Sequence, residues 1–450
     1  MRAIVSVAAV VTVGLIAGGA VAEPPRVVSM TPEFGEMAVD PALGEIRIEF
    51  DQDMNPGGRS ICGGGPTFPE IAGEVRWESA RVLVVPVTLE PSHRYELSIN
   101  CPAARGFRSA KGETARITPL VFTTAADSAS AETMALTAEQ NRAAVDALRS
   151  ALLERYSHRD VRAVDWEAEL AKAAERLEAA KAPGAFARVA AEVLAEARDV
   201  HVSVAVGGVT GARMATFAPM QAPNCDVRTL ARLVPGWTWR GGVVATGVFE
   251  DGVAYLMIAA WPGDRSEVEP ALAFIREHRD APGMIVDVRP NGGGDELTAQ
   301  AVASLFVDEP AVYSRNRYRD PGAPEGWGPM LDRVIEPAEE GERYGGPVAV
   351  LIGPSCMSSN ESFILMMRTS PRVTLVGEHT YGSSGNHKPV DLGNGVTVLL
   401  PSWQDFRPDG VALEGVGVTP DIGVRVRPDE LAASDPVLEA GLRAVRKRGR

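Results

Sequence analysis

Residues 285–294 read IVDVRPNGGG, and residues 348–361 read VAVLIGPSCMSSNE. Each stretch opens with a short run rich in Val and Ile, typical of a buried strand, and then breaks at Gly or Pro before a helical pattern begins. Strands that alternate with helices in this way predict an α/β domain. Because ligands of such domains bind at the turns that follow the strands, we expect the chemistry of this protein at these two turns.

The same alternation extends over residues 203–430, which we predict to be one α/β domain. Its buried strands are predicted at residues 253–258, 283–288, 347–352, 373–376 and 396–400, and its helices at residues 266–278, 296–306 and 358–368. Upstream, apolar residues at helical spacing predict three amphipathic helices within residues 126–202. Downstream, residues 431–450 are predicted to form a C-terminal helix and a basic, solvated tail.

The first 22 residues predict the compartment to which the protein is delivered. Arg2 is followed by an apolar run rich in Ala and Val that ends in Ala20-Val21-Ala22, which is the pattern of a signal peptide with its cleavage site. We therefore predict export to the periplasm or the cell exterior, with no stable membrane insertion after cleavage. The alternative is an uncleaved anchor, since the run approaches the roughly 20 residues that span a bilayer.

Residues 23–125 carry short runs of alternating apolar and polar residues between clusters of Gly, Pro, Asp and Asn, which predicts a small all-β sandwich. Cys62 and Cys101 lie in this region, and a disulfide between them would suit an oxidising compartment, the alternative being two separate buried thiols. Residues 31–40, 46–54 and 89–97 resemble segments of bacterial Ig-like domains. That resemblance implies a spacer or binding role.

The composition excludes several classes of protein. The 450 residues are 45% hydrophobic and 23% charged, as in folded proteins, and the net charge of −14 disfavours nucleic acid or an anionic membrane as a partner. The six histidines and four cysteines show no zinc-ligand spacing, and the sequence contains no nucleotide-binding motif. We therefore predict neither a metal nor a cofactor.

Each of the two turns has a plain structural explanation as well as a chemical one. Gly292, Gly293 and Gly294 can point backbone N–H groups at an anion, but they also suit a simple tight turn. Ser358 and Glu361 fit a capping box at a helix start, where Ser358 could equally serve as a nucleophile beside free helix amides. From these residues alone, both interpretations of each turn stay open.

From residue 141 to residue 425 the chain resembles the C-terminal processing (tail-specific) serine peptidases, in the branch closest to the tricorn protease core. The matching motifs are Tyr156 with Val164-Asp165-Trp166, Asp199-Val200-His201, Ala254-Tyr255-Leu256, residues 287–294, Ser358-Ser359-Asn360-Glu361, residues 377–382 and residues 414–422. The resemblance implies a helical subdomain followed by a Clp protease/crotonase-like α/β catalytic domain. It also implies a serine-type peptidase, which hydrolyses peptide bonds.

Roles for individual residues follow from the same resemblance. Ser358 falls on the nucleophile, His201 on the general base, and Glu414 on the acid that orients the histidine. With an unshifted histidine pKa, activity is expected to fall near pH 6–7. The backbone N–H groups that would form the oxyanion hole belong to Gly292, Gly293 and Ser359.

This sequence also departs from the family pattern. Ser383 stands 25 residues after Ser358, where the Ser/Lys branch carries its lysine, so we expect Ser383 to support the relay by a hydrogen bond. His379 is a secondary candidate for the base. The span from His201 to residue 253 is too short for the PDZ domain that many relatives insert, which argues against strict recognition of substrate C-termini.

We therefore predict an exported serine peptidase that acts on peptides or unfolded polypeptides through an acyl-enzyme on Ser358. The alternative is a catalytically silent module of the same fold that binds a small apolar ligand or a peptide, as in retinoid-binding relatives. A third interpretation is an adhesion protein led by the Ig-like domain. The sequence leaves open whether the chain forms a homo-oligomer.

Overall fold

The computed structural model describes residues 23–218, 221–323 and 325–448, so the predicted signal peptide at residues 1–22 lies outside the described residues. The chain is a multidomain mixed α/β protein that divides into two compact units, with the boundary between Thr133 and Met134. Within the described ranges, no helix is both long enough and apolar enough to cross a membrane.

The first unit is built from antiparallel strands, as its alternating sequence predicts. In the second strand Ile46, Ile48 and Phe50 are buried while the residues between them are not, which is the period of two that a half-buried strand requires. Cys62 and Cys101 are joined by a disulfide. The strands are β1 (Val27–Thr31), β2 (Glu45–Phe50), β3 (Ile61–Cys62), β4 (Glu70–Ile71), β5 (Arg76–Trp77), β6 (Val82–Thr88), β7 (Arg94–Ile99) and β8 (Thr118–Thr123).

These strands form two sheets. One has the order β1-β2-β6-β4, with β5 also paired to β6, and the other has the order β3-β7-β8. Every pairing between these strands is antiparallel. Antiparallel strands need only short connections, which agrees with the turn residues between the predicted strands.

The second unit begins with a helical segment. Its first helix starts with a capping box, in which the Thr137 hydroxyl accepts the backbone N–H of Gln140 and the Gln140 side chain accepts the N–H of Thr137. The three helices predicted upstream of the α/β domain correspond to α1, α3 and α4. The helices are α1 (Ala138–Glu154), α2 (Arg159–Arg162), α3 (Trp166–Ala179), α4 (Pro183–Leu194), α5 (Val227–Leu233), α6 (Glu269–Glu277), α7 (Glu296–Ala303), α8 (Ser359–Arg368) and α9 (Pro436–Arg448).

A seven-stranded sheet forms the centre of this unit, in the order β11-β12-β13-β14-β17-β18-β22. From β13 to β22 neighbouring strands run parallel, whereas β11, β12 and β13 pair antiparallel. Every residue of β13, β14, β17 and β18 is buried, as expected for parallel strands covered on both faces. The strands are β11 (Thr238–Trp239), β12 (Val244–Val248), β13 (Ala254–Ile258), β14 (Met284–Asp287), β17 (Val348–Ile352), β18 (Val373–Gly377) and β22 (Ile422–Gly423).

Two apolar cores cover the faces of this sheet. On one face Leu256, Val286 and Val350 pack with residues of α6, α7 and α8. On the other face the strands present Tyr255 and Ile285 to α5 and α9. Because β14 and β17 are parallel neighbours, their carboxyl ends and the turns that follow them meet at one edge of the sheet.

Two smaller sheets complete the second unit, in the orders β10-β9-β20-β19 and β16-β15-β21. The strand predicted at residues 396–400 forms as β20, but it belongs to the four-stranded sheet and pairs antiparallel. The strands are β9 (Ser203–Val206), β10 (Ala212–Ala215), β15 (Ala311–Tyr318), β16 (Leu331–Ile335), β19 (Lys388–Asp391), β20 (Val396–Leu400) and β21 (Trp403–Phe406).

Candidate active site

Ser358 occupies the turn between β17 and α8, directly before the first helical residue. Its backbone angles are φ 58° and ψ −133°, a left-handed conformation that is strained for a residue with a side chain. Its hydroxyl makes no capping hydrogen bond to the helix, and the Glu361 side chain binds elsewhere. The capping-box interpretation is therefore wrong, and the hydroxyl is available for other contacts.

His201 lies against this hydroxyl although 157 residues separate the two in sequence. The Nε2 atom of His201 is 3.1 Å from Ser358 Oγ. Asp199 holds the backbone of the histidine, because its Oδ1 accepts the N–H of His201 at 2.9 Å. Asp199 is itself anchored by the hydroxyl of Tyr156 at 2.8 Å and by His158 Nδ1 at 2.9 Å. The short turn before β9 thus presents His201 to the turn after β17.

The other nitrogen of the imidazole meets Ser383. Ser383 Oγ lies 3.0 Å from His201 Nδ1, and the Ser383 carbonyl accepts the backbone N–H of Ser358 at 2.8 Å. The Ser383 hydroxyl can accept a hydrogen bond from a protonated Nδ1, and the unprotonated Nε2 can then accept the proton of the Ser358 hydroxyl. The structure therefore brings together the predicted nucleophile, base and supporting serine.

Glu414 does not contact His201 directly among the described residues, contrary to the orienting role predicted for it. One of its carboxylate oxygens accepts from Arg162, and the other accepts the backbone N–H of Ser384 at 3.1 Å. His158 Nε2 is 3.8 Å from the same carboxylate. One oxygen is thus engaged by Arg162 and the other by Ser384, the residue after Ser383, and the contact with His201 Nδ1 belongs to Ser383 instead.

The glycine-rich turn lies against Ser358. A Cβ on Gly293 would be 2.8 Å from Ser358 Cβ, so only glycine permits this approach. The N–H of Gly293 already donates to Asn291 Oδ1 at 2.8 Å. In the part of the chain that the structure describes, the N–H groups of Gly292 and Ser359 have no hydrogen-bond partner. Of the three predicted oxyanion-hole donors, these two are the available ones.

A cavity of about 350 Å³ opens beside Ser358. Its walls come from the residues after the glycine turn, from the start of α8 and from residues 384–387, with Trp403 at its side. His379, the secondary candidate for the base, lines a different cavity of about 570 Å³ whose lining does not include Ser358. The structure therefore does not place His379 with the proposed nucleophile.

Burial changes the electrostatics of the site. Desolvation lowers the pKa of His201 to about 4, although the charge of Asp199 opposes this shift. The imidazole is therefore neutral at pH 7, as a general base must be. The loss of activity that the sequence predicts near pH 6–7 is then expected at a lower pH. Cys356 is fully buried and burial raises the pKa of its thiol, so it is held as a neutral thiol close to Ser358 in sequence.

His158, Asp199 and Glu414 form the group of described side chains that comes nearest to a metal-binding arrangement. Asp199 already accepts from His158 Nδ1 and from Tyr156, and the guanidinium of Arg162 contacts Glu414. These contacts make a buried hydrogen-bonded ion-pair network behind His201. Sequence reasoning did not identify His158, Arg162 or Ser384, because only folding brings them to Glu414.

Part of the chain is similar to known peptidases. Residues 252–424 match the model of Peptidase family S41. A chloroplastic C-terminal processing peptidase of Tetradesmus obliquus is 25% identical over 212 residues, covering 46% of this chain and 40% of the relative. A tail-specific protease of Haemophilus influenzae is 32% identical over 107 residues, covering 24% of this chain and 14% of the relative. The chain thus spans less than half the length of these curated relatives.

The architecture also has a counterpart among solved structures. A protein of Parabacteroides merdae described as a peptidase superposes with a TM-score of 0.57 at 20% sequence identity, covering 69% of this chain and 97% of that protein. At this level of identity the likeness concerns the fold. The similarity to peptidase family S41 rests on the sequence match over residues 252–424, and the solved structure adds that the fold is shared.

Proposed function

We propose that this protein is a serine-type peptidase that hydrolyses peptide bonds in polypeptides through an acyl-enzyme on Ser358. The observation that carries the proposal is the 3.1 Å contact between Ser358 Oγ and His201 Nε2. A nucleophilic hydroxyl and a neutral imidazole at hydrogen-bond distance are the minimum requirement for this chemistry.

In the proposed acylation step, His201 Nε2 takes the proton of the Ser358 hydroxyl as Oγ attacks the scissile carbonyl carbon. The N–H groups of Gly292 and Ser359 donate to the oxyanion that develops, and losing one such donor typically costs about 3–4 kcal/mol of transition-state stabilisation. His201 then donates the proton to the leaving amine. Water enters and releases the acyl group by the same steps with His201 as base.

The imidazolium that forms in this step needs an acceptor at Nδ1. Ser383 Oγ occupies that position, so we assign to Ser383 the supporting role that a carboxylate has in the serine triad. Glu414 supports the arrangement at one remove, since it binds the N–H of Ser384 and so holds the segment that carries Ser383. The relay we propose is thus Ser358–His201–Ser383, with Glu414 behind it.

The substrate and the location are proposed at a coarser level. The relatives are named for C-terminal processing and tail-specific proteolysis. We propose that this chain likewise acts on peptides or unfolded polypeptides, without strict capture of the C-terminus and with homo-oligomerisation left open. The disulfide and the leader-like start favour export to the periplasm or the cell exterior. The paired antiparallel sheets of the first unit favour an Ig-like module, and the second unit a crotonase-like catalytic domain.

A fluorophosphonate probe tests the proposal, because it reacts with activated serine hydroxyls. Wild-type protein should be labelled and should cleave a quenched casein or peptide substrate, Ser358→Ala should do neither, and Ser304→Ala should behave as wild type. Ser304 is a suitable control because its hydroxyl only bonds the carbonyl of Ala301 within α7. Labelling that persists in Ser358→Ala refutes the assignment. An unlabelled, folded wild type with a co-purified apolar ligand supports the silent binding module.

A further inference from the structure

Glu361 is a fully buried carboxylic acid that the proposed mechanism does not use. It lies one turn into α8, the helix that begins directly after Ser358. Its Oε1 accepts the hydroxyl of Thr380 and, at 2.9 Å, the backbone N–H of Gly382. Its Oε2 accepts the backbone N–H of Ser383 at 2.8 Å. All three donors belong to the one segment that carries the hydroxyl facing His201.

Burying this group is costly. An acidic side chain in the interior usually has a cationic partner, as Asp287 has in Arg289, because removing its charge from water costs several kcal/mol. Within the described ranges no ion pair or hydrogen bond joins Glu361 to a Lys, Arg or His. Burial raises the pKa of Glu361 to about 8, although the three donors act in the opposite direction. A helix start alone would not require such a residue.

The segment that Glu361 holds is closed in from the opposite side. Gly382 adopts φ +79°, and a Cβ at this position would lie 2.7 Å from the N atom of Gly417. The N–H of Gly415 donates to the Gly382 carbonyl at 2.8 Å. Residues 380–383 are therefore clamped between α8 and residues 413–417, and the position of the Ser383 hydroxyl depends on both sides of the clamp.

The contacts form a closed circuit around the imidazole. Ser358 and Glu361 are fixed to each other by the first turn of α8. Ser383 is tied to both, through its carbonyl to the N–H of Ser358 and through its N–H to Glu361. His201 bridges the hydroxyls of Ser358 and Ser383. In such an arrangement a displacement of about 1 Å can cost as much as 100-fold in rate.

We infer that Glu361 is a positioning residue, which sets the hydrogen bond between Ser383 and His201 by locking residues 380–383 to the helix that starts after the nucleophile. The inference rests on the proposed function. It concerns catalysis through Ser383 and His201, since Glu361 itself touches neither the imidazole nor the cavity beside Ser358.

A double-mutant cycle tests the inference. Glu361→Gln keeps the size of the side chain but turns one acceptor oxygen into an amide donor that faces backbone N–H groups. We expect kcat to fall roughly 5- to 30-fold with KM within about twofold of wild type, no more than the loss in Ser383→Ala. In the Ser383→Ala background the same change should lower kcat by less than about threefold, because the bond that it adjusts is already gone.

Asp421→Asn provides a matched control. Asp421 also uses a carboxylate oxygen to hold a backbone N–H of this unit, that of Leu375 at 2.8 Å, and it lies beside Arg368, at the opposite end of α8 from Ser358. Its kcat should equal that of wild type. If Glu361→Gln fails to fold in a thermal unfolding assay, Glu361→Asp replaces it. That change keeps the carboxyl group but withdraws its oxygens by about one methylene, and it should show the same coupling to Ser383.

The outcomes distinguish the positioning role of Glu361 from the proposed peptidase activity. If Glu361 and Ser383 lower kcat independently, so that the losses multiply, or if Glu361→Gln leaves kcat unchanged, the positioning role is wrong while the peptidase assignment stands. A wild-type protein without probe labelling and without cleavage overturns the proposed function first, and the inference falls with it.

Discussion

The sequence and the structure disagree about what orients His201, and two variants decide between them. The resemblance assigns this role to Glu414, whereas the structure places Ser383 Oγ at 3.0 Å from His201 Nδ1 and turns Glu414 toward Arg162 and Ser384. Ser383→Ala removes the Nδ1 contact and leaves the carboxylate. Glu414→Gln keeps an oxygen that can accept from Ser384 and leaves the Nδ1 contact intact.

The magnitude follows from the charge that develops on the imidazole. A hydrogen bond between neutral groups contributes about 0.5–1.5 kcal/mol, and one from a charged donor about 1.5–3 kcal/mol. The bond from His201 Nδ1 to Ser383 is thus worth about 1–2 kcal/mol more in the transition state than in the ground state, or roughly 5- to 30-fold in kcat. Asp199 Oδ1, 4.0 Å from Nδ1, limits the loss because it can partly replace the hydroxyl. For Glu414→Gln we expect less than about a threefold change.

The assay compares kcat and KM on an internally quenched peptide with the rate of inactivation by a fluorophosphonate. Thermal unfolding of each variant establishes that the fold is retained, and Ser304→Ala controls for the loss of a serine hydroxyl in the same domain. If Glu414→Gln lowers kcat more than Ser383→Ala does, the carboxylate orients His201 after all. Our derivation from the hydrogen-bond geometry is then wrong.

Three further predictions concern pH, the disulfide and the glycine turn. Because burial lowers the pKa of His201 to about 4, kcat/KM should stay level from pH 7 to about pH 5. It should then fall with a midpoint near pH 4 as His201 becomes protonated. A midpoint near pH 6.5 would contradict the burial argument. The bond between Cys62 and Cys101 closes a loop of 39 residues, so its reduction should lower the free energy of unfolding of the first unit by about 4 kcal/mol, measured with denaturant. Probe labelling of the second unit should persist. An unchanged unfolding transition would show that the disulfide does not stabilise the first unit. Gly293→Ala places a Cβ 2.8 Å from that of Ser358 at a φ of +108°, so Ser358 should be displaced by roughly 1 Å and probe labelling should fall more than 100-fold. Gly263→Ala, which has open space around its Cβ, should be labelled like wild type. Equal labelling of the two variants would refute the steric argument.

Much of the fold could be predicted because it depends on local patterns. The runs at residues 284–286 and 348–352 are apolar throughout, and a strand buried on both faces needs this composition wherever it sits in a sheet. The strand at residues 396–400 is also rich in Val and Leu and fully buried, yet it pairs with β9 in a separate antiparallel sheet. Partner choice depends on long-range contacts, which a local pattern does not contain.

The candidate site shows the same division. Ser358 and His201 were identified by motifs, and the structure brings them within 3.1 Å. The capping box was a sound local inference for Ser358 and Glu361, but the left-handed backbone of Ser358 and the donors from residues 380–383 redirected both side chains. The motif assigns Glu414 to orienting His201. In the structure its carboxylate instead binds Arg162 and the N–H of Ser384, the residue after Ser383.

By itself, the sequence determined which residues carry reactive groups, where the buried strands lie and which family the second unit resembles. These properties are set by residue type and by short periodicities, so they can be inferred without knowledge of the fold. Only the tertiary structure decided that Ser383 faces His201 Nδ1, that the N–H of Gly293 donates to Asn291, and that His201 is buried enough to stay neutral well below pH 6. Each of these depends on distances of about 3 Å between segments far apart in the chain, and on the removal of water from between them.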